Sequence, residues 1–388
     1  MSRVMVSCGE ASGDLYAGAL AAALRRRDPA VEVFGFGGGR LAAAGAELLG
    51  DFRGLSVTGL VEVIRHLPRT YAMYRRLVAA ARARRPDVLV TIDYADFNFT
   101  LGKAVHRLGI PVVYYISPQL WAWRAGRLNV MRRFVDKVLT IFPFEAPIYE
   151  RAGVPVEFVG HPLVDLIPPS APRAEVLASL GLEPAAPTVA LLPGSRHNEL
   201  HQILPTMVEA CPLVAARVPG VQFVVARAPG LDDHLFAPLS ALSQAGVRCA
   251  TVEHRTDDVL SAADAVITAS GTATVQAALH GCPMVIVYRL SPLTYRLGVR
   301  FVRVDTYGMV NLVAGRRVVA ELIQDGFTAQ AAAEECASLL TDAAKAQRVR
   351  DDLREVRRRL GGGGASDRAA AAVLAVARGE TPVRARAS

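Results

Sequence analysis

Two carboxylates three residues apart, Asp93 and Asp96, follow the apolar run PDVLVT (residues 86–91) in the segment IDYADFNF. In open parallel sheets ligands collect at strand carboxyl ends, so these carboxylates stand where catalysis happens and could serve as a general base. Either carboxylate suits that task, and either could instead cap a helix expected from near Phe99. A second stretch, Leu192-Pro193-Gly194-Ser195-Arg196, is a strand–glycine–cation junction with Glu199 in the next helical turn, and its guanidinium suits a diphosphate. A third is AVITASGTATVQAALHGCPMVIVY, an uncharged run at residues 265–288. Its length would allow a membrane span, but Ser270, Thr272, Thr274, Gln276 and His280 would all have to be buried in lipid. Strand, helix and strand fit better, with Ser270 as N-cap, Gly271 in the turn and Gly281 as a left-handed stop. The turn before that helix is a natural phosphate site, or a plain N-cap with no ligand.

Other candidates are less specific. The opening VMVS–CGEASGD–YAGALAAALRRR is strand, glycine loop and helix, but Gly9 and Gly13 do not fit GxGxxG, which removes the main support for hydride chemistry. Glu10 and Asp14 are either ligand contacts or acids complementing a helix N-terminus. SPQLWAWR contains both tryptophans, an aromatic wall for a sugar or acyl face or else core. His161 in VGHPL reads as a structural hydrogen-bonder before a ligand.

The elements positioning these residues alternate strand and helix in two sets, separated by the Pro/Ser-rich segment at 168–172. At 388 residues and 52% hydrophobic content, two domains with ample core are expected. Five scattered cysteines without CxxC spacing point to reduced thiols, and no export signal is evident. The net charge of +8 is uneven: residues 1–170 carry 21 Lys and Arg against 15 Asp and Glu, the remainder 23 against 21. No nucleic-acid-binding pattern accompanies it. Apolar residues at 60, 64, 67, 71, 74, 78 and 81 form a helical stripe with Arg65, Arg69 and Arg76 opposite, and Pro68 is expected to break or kink the helix. The stripe with Ile64, Leu67, Tyr71 and Tyr74 either dips into an anionic bilayer or packs on protein, a sister subunit of a homodimer included.

The succession GEASGD, GLVEVIRHLP, DYADFNF, SPQLWAWR, PFE, FVGHPL, LLPGSR, SGTAT, YRLSPLTY, NLVAGR and ELIQ resembles the lipid A disaccharide synthase family from about Met5 to Gln324. The resemblance implies an α/β GT-B fold, two Rossmann-like domains with parallel sheets facing across a cleft. It also implies transfer of 2,3-diacylglucosamine from UDP to the 6-hydroxyl of 2,3-diacylglucosamine 1-phosphate, with inversion to a β-1,6 bond. On this chain the family's aspartate falls on Asp96, its diphosphate arginine on Arg196 and its asparagine on Asn311. The donor set expected is Gly194, Ser195, Arg196, Ser270, Gly271, Thr272, Gln276 and Asn311. Glu10, Ser12, Gly13, Asp14 and Trp123 are expected at the acceptor or sugar.

Gln276 stands where the family usually shows glutamate, an amide in place of a ribose-gripping carboxylate. No cofactor is expected, nor a metal, since Asp232-Asp233 and Asp257-Asp258 read as solvated helix starts rather than DxD motifs. The domains expected are residues 1–167 for acceptor and membrane, 173–345 for UDP-sugar, and 346–388 as closing helices and tail packing back on the first. The expected location is the cytoplasmic face of the inner membrane of a Gram-negative-type bacterium. Another UDP-sugar enzyme of the same fold, a glycosyltransferase or epimerase, and a catalytically silent lipid- or nucleotide-binding relative are the alternatives.

Overall fold

Runs such as VLVTI, TVALL and AVITA are apolar at successive positions, which suits strands covered on both faces. A computed structural model of the chain describes residues 1–53, 60–118, 126–290, 306 and 308–380, without the side chains of 60–66. In it these runs are fully buried central strands of two all-parallel sheets.

The chain divides into two compact units, Met1–Asp165 with Leu360–Ser388, and Leu166–Arg359. Unit 1 contains β1 (Arg3–Cys8), β2 (Glu32–Gly37), β3 (Glu47–Asp51), β4 (Val88–Ile92), β5 (Val112–Tyr115), β6 (Lys137–Thr140) and β7 (Val156–Phe158), in the order β3-β2-β1-β4-β5-β6-β7. Its connections include α1 (Ala11–Arg27), α2 (Gly39–Ala43), α3 (Leu60–Arg84), α4 (Ala95–Arg107) and α5 (Gly126–Met131). Unit 2 contains β8 (Thr188–Leu192), β9 (Gln222–Arg227), β10 (Cys249–Glu253), β11 (Ala265–Ala269), β12 (Met284–Tyr288) and β13 (Ala320–Ile323), in the order β10-β9-β8-β11-β12-β13. Its helices include α6 (His197–Ala215), α7 (Thr256–Ala262), α8 (Thr272–Leu279) and α9 (Ala343–Arg359). In each sheet the first strand pairs with the second on one side and the fourth on the other. That reversal leaves a crevice at the strands' carboxyl ends, the place where such sheets bind ligands.

Two capping expectations are corrected. The helix after β4 begins at Ala95, four residues before Phe99, and its N-cap residue Tyr94 offers no side-chain cap, so neither Asp93 nor Asp96 serves as one. The helix after β11 is capped by Gly271 instead of Ser270. Gly281, at φ 65°, ends that helix as expected. Pro68 lies inside α3 without ending it. A proline removes one internal hydrogen bond, and here burial of Leu77 and Ala81 anchors the later turns on the sheet. The closing segment is divided. Arg357 and Arg359 of α9 donate to the Leu279 and Ala314 carbonyls of unit 2. The next helix, α10 (Ala365–Ala377), packs on unit 1, where Asp165 accepts the Gly364 and Ala365 amides and Arg368 donates to Val159 O. Glycines 361 and 364, at φ 97° and 85°, make the break between them.

Candidate active site

In unit 1, β1 and β4 are neighbours at the point where strand order reverses, and Cys8 pairs with Ile92 at their carboxyl ends. GEASGD and DYADFN, which begin 84 residues apart in the chain, therefore meet. Asp93 and Tyr94 both take left-handed backbone, φ 46° and 48°, a conformation costing roughly 1–3 kcal/mol for a non-glycine residue and kept only where surroundings enforce it. Asn98 enforces it. Fully buried, it donates Nδ2 to the Ile92 and Asp93 carbonyls at 3.2 and 2.8 Å, and its Oδ1 accepts from Ser7 Oγ at 2.7 Å. Tyr114 Oη adds a bond to Asp93 O at 2.9 Å. The Tyr94 ring settles over Gly9, where a Cβ would lie 2.3 Å from the ring, so only glycine fits beneath it.

This turn sets Asp96 on the first turn of α4 with its side chain 77% exposed, and Arg127 Nη2 donates to its Oδ1 at 2.5 Å. The guanidinium also lies over the Phe99 ring, 5.4 Å from its centroid. Arg127 is the residue that the sequence alone does not single out, because it follows the SPQLWAWR motif and reaches Asp96 only through the tertiary fold. Trp123 lies outside the described residues.

Of the glycine-loop residues, Asp14 is corrected to a structural role. Its buried carboxylate accepts the Gly38, Arg40 and Leu41 amides at 2.7, 2.9 and 3.1 Å, which caps α2 from a different helix. Gly13 is buried against Cys8. Glu10, at the N-cap position of α1, and Ser12 remain half-buried at the carboxyl-end rim. Burial, with the Asp14 and Asp51 carboxylates, pushes the Cys8 thiol far up, leaving it unreactive. His161 is the structural residue expected: Nδ1 accepts the Leu163 amide at 3.2 Å, the ring packs against Phe142 and Tyr16, and burial pushes its pKa down to about 3.

Unit 2 repeats the arrangement. β8 and β11 flank its reversal point with Leu192 paired to Thr268, so the loops at 193–196 and 270–272 lie side by side. Glu199 turns back to accept the Ser195 amide at 3.0 Å, and a Cβ at Gly194 (φ 115°) would meet that carboxylate at 2.5 Å. Arg196, the N-cap residue of α6, is half-exposed with Nη1 3.6 Å from Glu199 Oε1. Among the described residues no side chain caps α8, and the Thr272 and Ala273 amides at its start face the same edge. Tyr288, at the end of β12, joins the group: burial raises its phenol pKa, as does the Glu199 carboxylate, while Arg196 opposes them.

Two expected donor contacts are otherwise engaged. Asn311 is buried, with Nδ2 bonded to Val319 O and Glu321 Oε1 and Oδ1 accepting the Val318 and Val319 amides. All four bonds of its amide are spent aligning β13, which leaves none for a nucleotide. Gln276 donates Nε2 to Asp257 Oδ1 at 2.7 Å, and His280 Nε2 sits 2.9 Å from the same oxygen. Asp257 is thus no solvated helix start. Burial pushes its carboxyl up, but the bonds from His280 and Gln276 and the His280 charge outweigh that and hold it below the ordinary value.

On α3, Leu67 and Tyr71 are 54% and 61% exposed, whereas Tyr74 packs partly on the core and stacks on Tyr71. The side chain of Ile64 lies outside the described residues. Among the described residues no three His, Cys, Asp or Glu side chains converge, and no helix is long and apolar enough to cross a membrane.

Solved structures with a similar fold include a putative UDP-N-acetylglucosamine 2-epimerase from Listeria monocytogenes, with TM-score 0.66 and 16% identity over 99% of this chain and 98% of that one. A calicheamicin glycosyltransferase aligns with TM-score 0.59 and 17% identity over 98% and 100%. At such identities the likeness is one of fold. Sequence relatives are much nearer. The lipid-A-disaccharide synthase of Geobacter metallireducens is 46% identical over 372 residues, covering 96% of each chain, and that of Myxococcus xanthus 45%, covering 96% and 97%. The family model for lipid-A-disaccharide synthetase matches residues 4–376. With the strand-end loops of both units inside that match and relatives of this identity covered over 96% of their length, the chain belongs to the lipid-A-disaccharide synthetase family.

Proposed function

We propose that the protein transfers 2,3-diacylglucosamine from its UDP ester to the 6-hydroxyl of 2,3-diacylglucosamine 1-phosphate, forming a β-1,6 bond and releasing UDP. The acceptor oxygen attacks the anomeric carbon from the face opposite the diphosphate, and the carbon–oxygen bond to the β-phosphate breaks with its electron pair on the departing oxygen. The hydroxyl proton passes to Asp96, whose carboxylate is oriented through Oδ1 by Arg127. Charge growing on the diphosphate is met by Arg196 and by the amides at the start of α8, both on the carboxyl edge of unit 2. The ionic contact between Asp96 and Arg127 is the observation that carries this reading, because it gives an exposed carboxylate at a strand's carboxyl end one fixed direction. Incubation of the purified protein with both acylated substrates, read by mass spectrometry, tests it. Disaccharide 1-phosphate and UDP are expected in equal amounts, whereas epimerised UDP-sugar, or no product, would favour the alternatives.

Both substrates are acylated, and the second part of the proposal is peripheral contact with an anionic membrane through α3. Leu67 and Tyr71 stand exposed with the exposed Arg69, Arg75 and Arg76 on the same helix, the composition of an interfacial helix. Burial of the same patch in a homodimer is the competing outcome, read by sedimentation without lipid.

A further inference from the structure

At the amino ends of β11 and β12, opposite the loops that carry Arg196 and Gly271, unit 2 holds a cavity of about 390 Å³. Its lining is part apolar, with Leu260, Ala263, Cys282 and Pro283, and part polar, with Ser261, His280 and the guanidiniums of Arg350, Arg354 and Arg357. These arginines sit at i, i+4 and i+7 of α9 and so share one helix face. Among the described residues no carboxylate lines the cavity.

The three guanidiniums are differently engaged. Arg357 donates to Leu279 O at 3.0 Å, satisfying the carbonyl end of α8. Arg354 reaches Asp351 one turn back, an exposed pair of the kind that contributes little. Half-buried Arg350 makes no hydrogen bond or ion pair among the described residues. Nearby acids do not balance it: Asp257 is taken by Gln276 and His280, and Asp264 by Arg173 and the Thr188 amide. Like charges gathered on one wall repel each other, and an anion between them removes that repulsion.

We propose that this cavity binds a phosphate monoester with a short apolar portion, its phosphate held by Arg350 and Arg354 and its apolar part against Leu260, Ala263, Cys282 and Pro283. A bare phosphate would fill a small part of a space this size, which lies at the lower end of ordinary ligand pockets. A lipid phosphate headgroup and a soluble phosphate ester share this chemistry. The site goes beyond the transfer reaction, since it lies at the strand ends away from the donor loops.

Titration calorimetry with hexyl phosphate and with inorganic phosphate tests the site in the presence of saturating UDP. Hexyl phosphate is expected to bind, more tightly than inorganic phosphate, and Arg350→Gln/Arg354→Gln should weaken it at least about tenfold, the scale of a lost charge-assisted hydrogen bond. Arg196→Ala should leave it unchanged. Co-sedimentation with phosphatidylcholine vesicles, with and without phosphatidic acid, distinguishes the sources in a Leu67→Ser/Tyr71→Ser background. Phosphatidic-acid-dependent binding that needs Arg350 and Arg354 identifies a lipid headgroup; hexyl phosphate binding without it identifies a soluble ester. Absence of hexyl phosphate binding, equal affinity in the folded double variant, or loss of binding in Arg196→Ala would overturn the proposal.

Discussion

Replacing Asp96 by Asn keeps the shape of the side chain and removes its basicity. The stability cost follows from exposure: with the aspartate side chain 77% and the arginine 27% accessible, the ion pair contributes about 0–1 kcal/mol. The melting temperature should therefore move by a few degrees at most. Turnover should fall by ~10²–10⁴, about 2.7–5.5 kcal/mol of activation free energy, which is the usual weight of a positioned general base. Arg127→Met retains the base but removes one of the contacts that orient it, so a smaller loss of roughly tenfold is expected, mainly in kcat. The double variant should be no slower than Asp96→Asn, because orienting a group that cannot accept a proton has no value. Initial rates of disaccharide formation by mass spectrometry, with circular dichroism melts of each variant, provide the cycle. Turnover within threefold of wild type in folded Asp96→Asn would refute the assignment and direct attention to Asp93. Losses that multiply in the double variant would refute the coupling.

Arg196→Ala should raise the KM for the UDP donor and lower kcat, and Arg196→Lys should recover only part of either, since a lysine offers no planar fork; unchanged UDP affinity and turnover would exclude the role. Gln276→Glu, which restores the acid expected from the family resemblance, should weaken UDP binding or the fold instead of improving them. It would set a second carboxylate against Asp257, 2.7 Å from the present amide nitrogen, and tighter UDP binding would contradict this. His161 has a folded pKa of about 3 against an ordinary 6.5, so it contributes stability above pH 6.5 that is lost as pH falls toward 3. Urea unfolding at pH 7.5 and 4.5 should show about 2–3 kcal/mol of that loss, absent from His161→Gln. Leu67→Ser/Tyr71→Ser should reduce flotation with anionic vesicles without unfolding the protein, and wild-type flotation would move the membrane surface elsewhere.

Local chemistry determined much of this protein. Continuous apolar runs at 188–192 and 265–269, short and bounded by turn residues, fit strands covered on both faces, and Gly281 after an apolar helix fits its stop. The positions of Asp96 and Arg196 just past strand ends were legible for the same reason, since alternation of strand and helix implies a parallel sheet with its ligands at that edge. Pairing was not legible. Only strand order brings residue 8 to residue 92 and residue 192 to residue 268, because long-range pairing depends on packing that no local spacing encodes. Polar residues were the least readable, since a carboxylate or amide looks alike in sequence whether it meets a ligand or a backbone amide. Asp14 by its place in the glycine loop, and Asn311 and Gln276 by the family resemblance, suggested ligand contacts, yet the fold uses Asp14 to cap α2, Asn311 to align β13 and an amide hydrogen of Gln276 to hold Asp257. Arg127 carried no local signal at all, and became part of the site because tertiary structure places its guanidinium on Asp96.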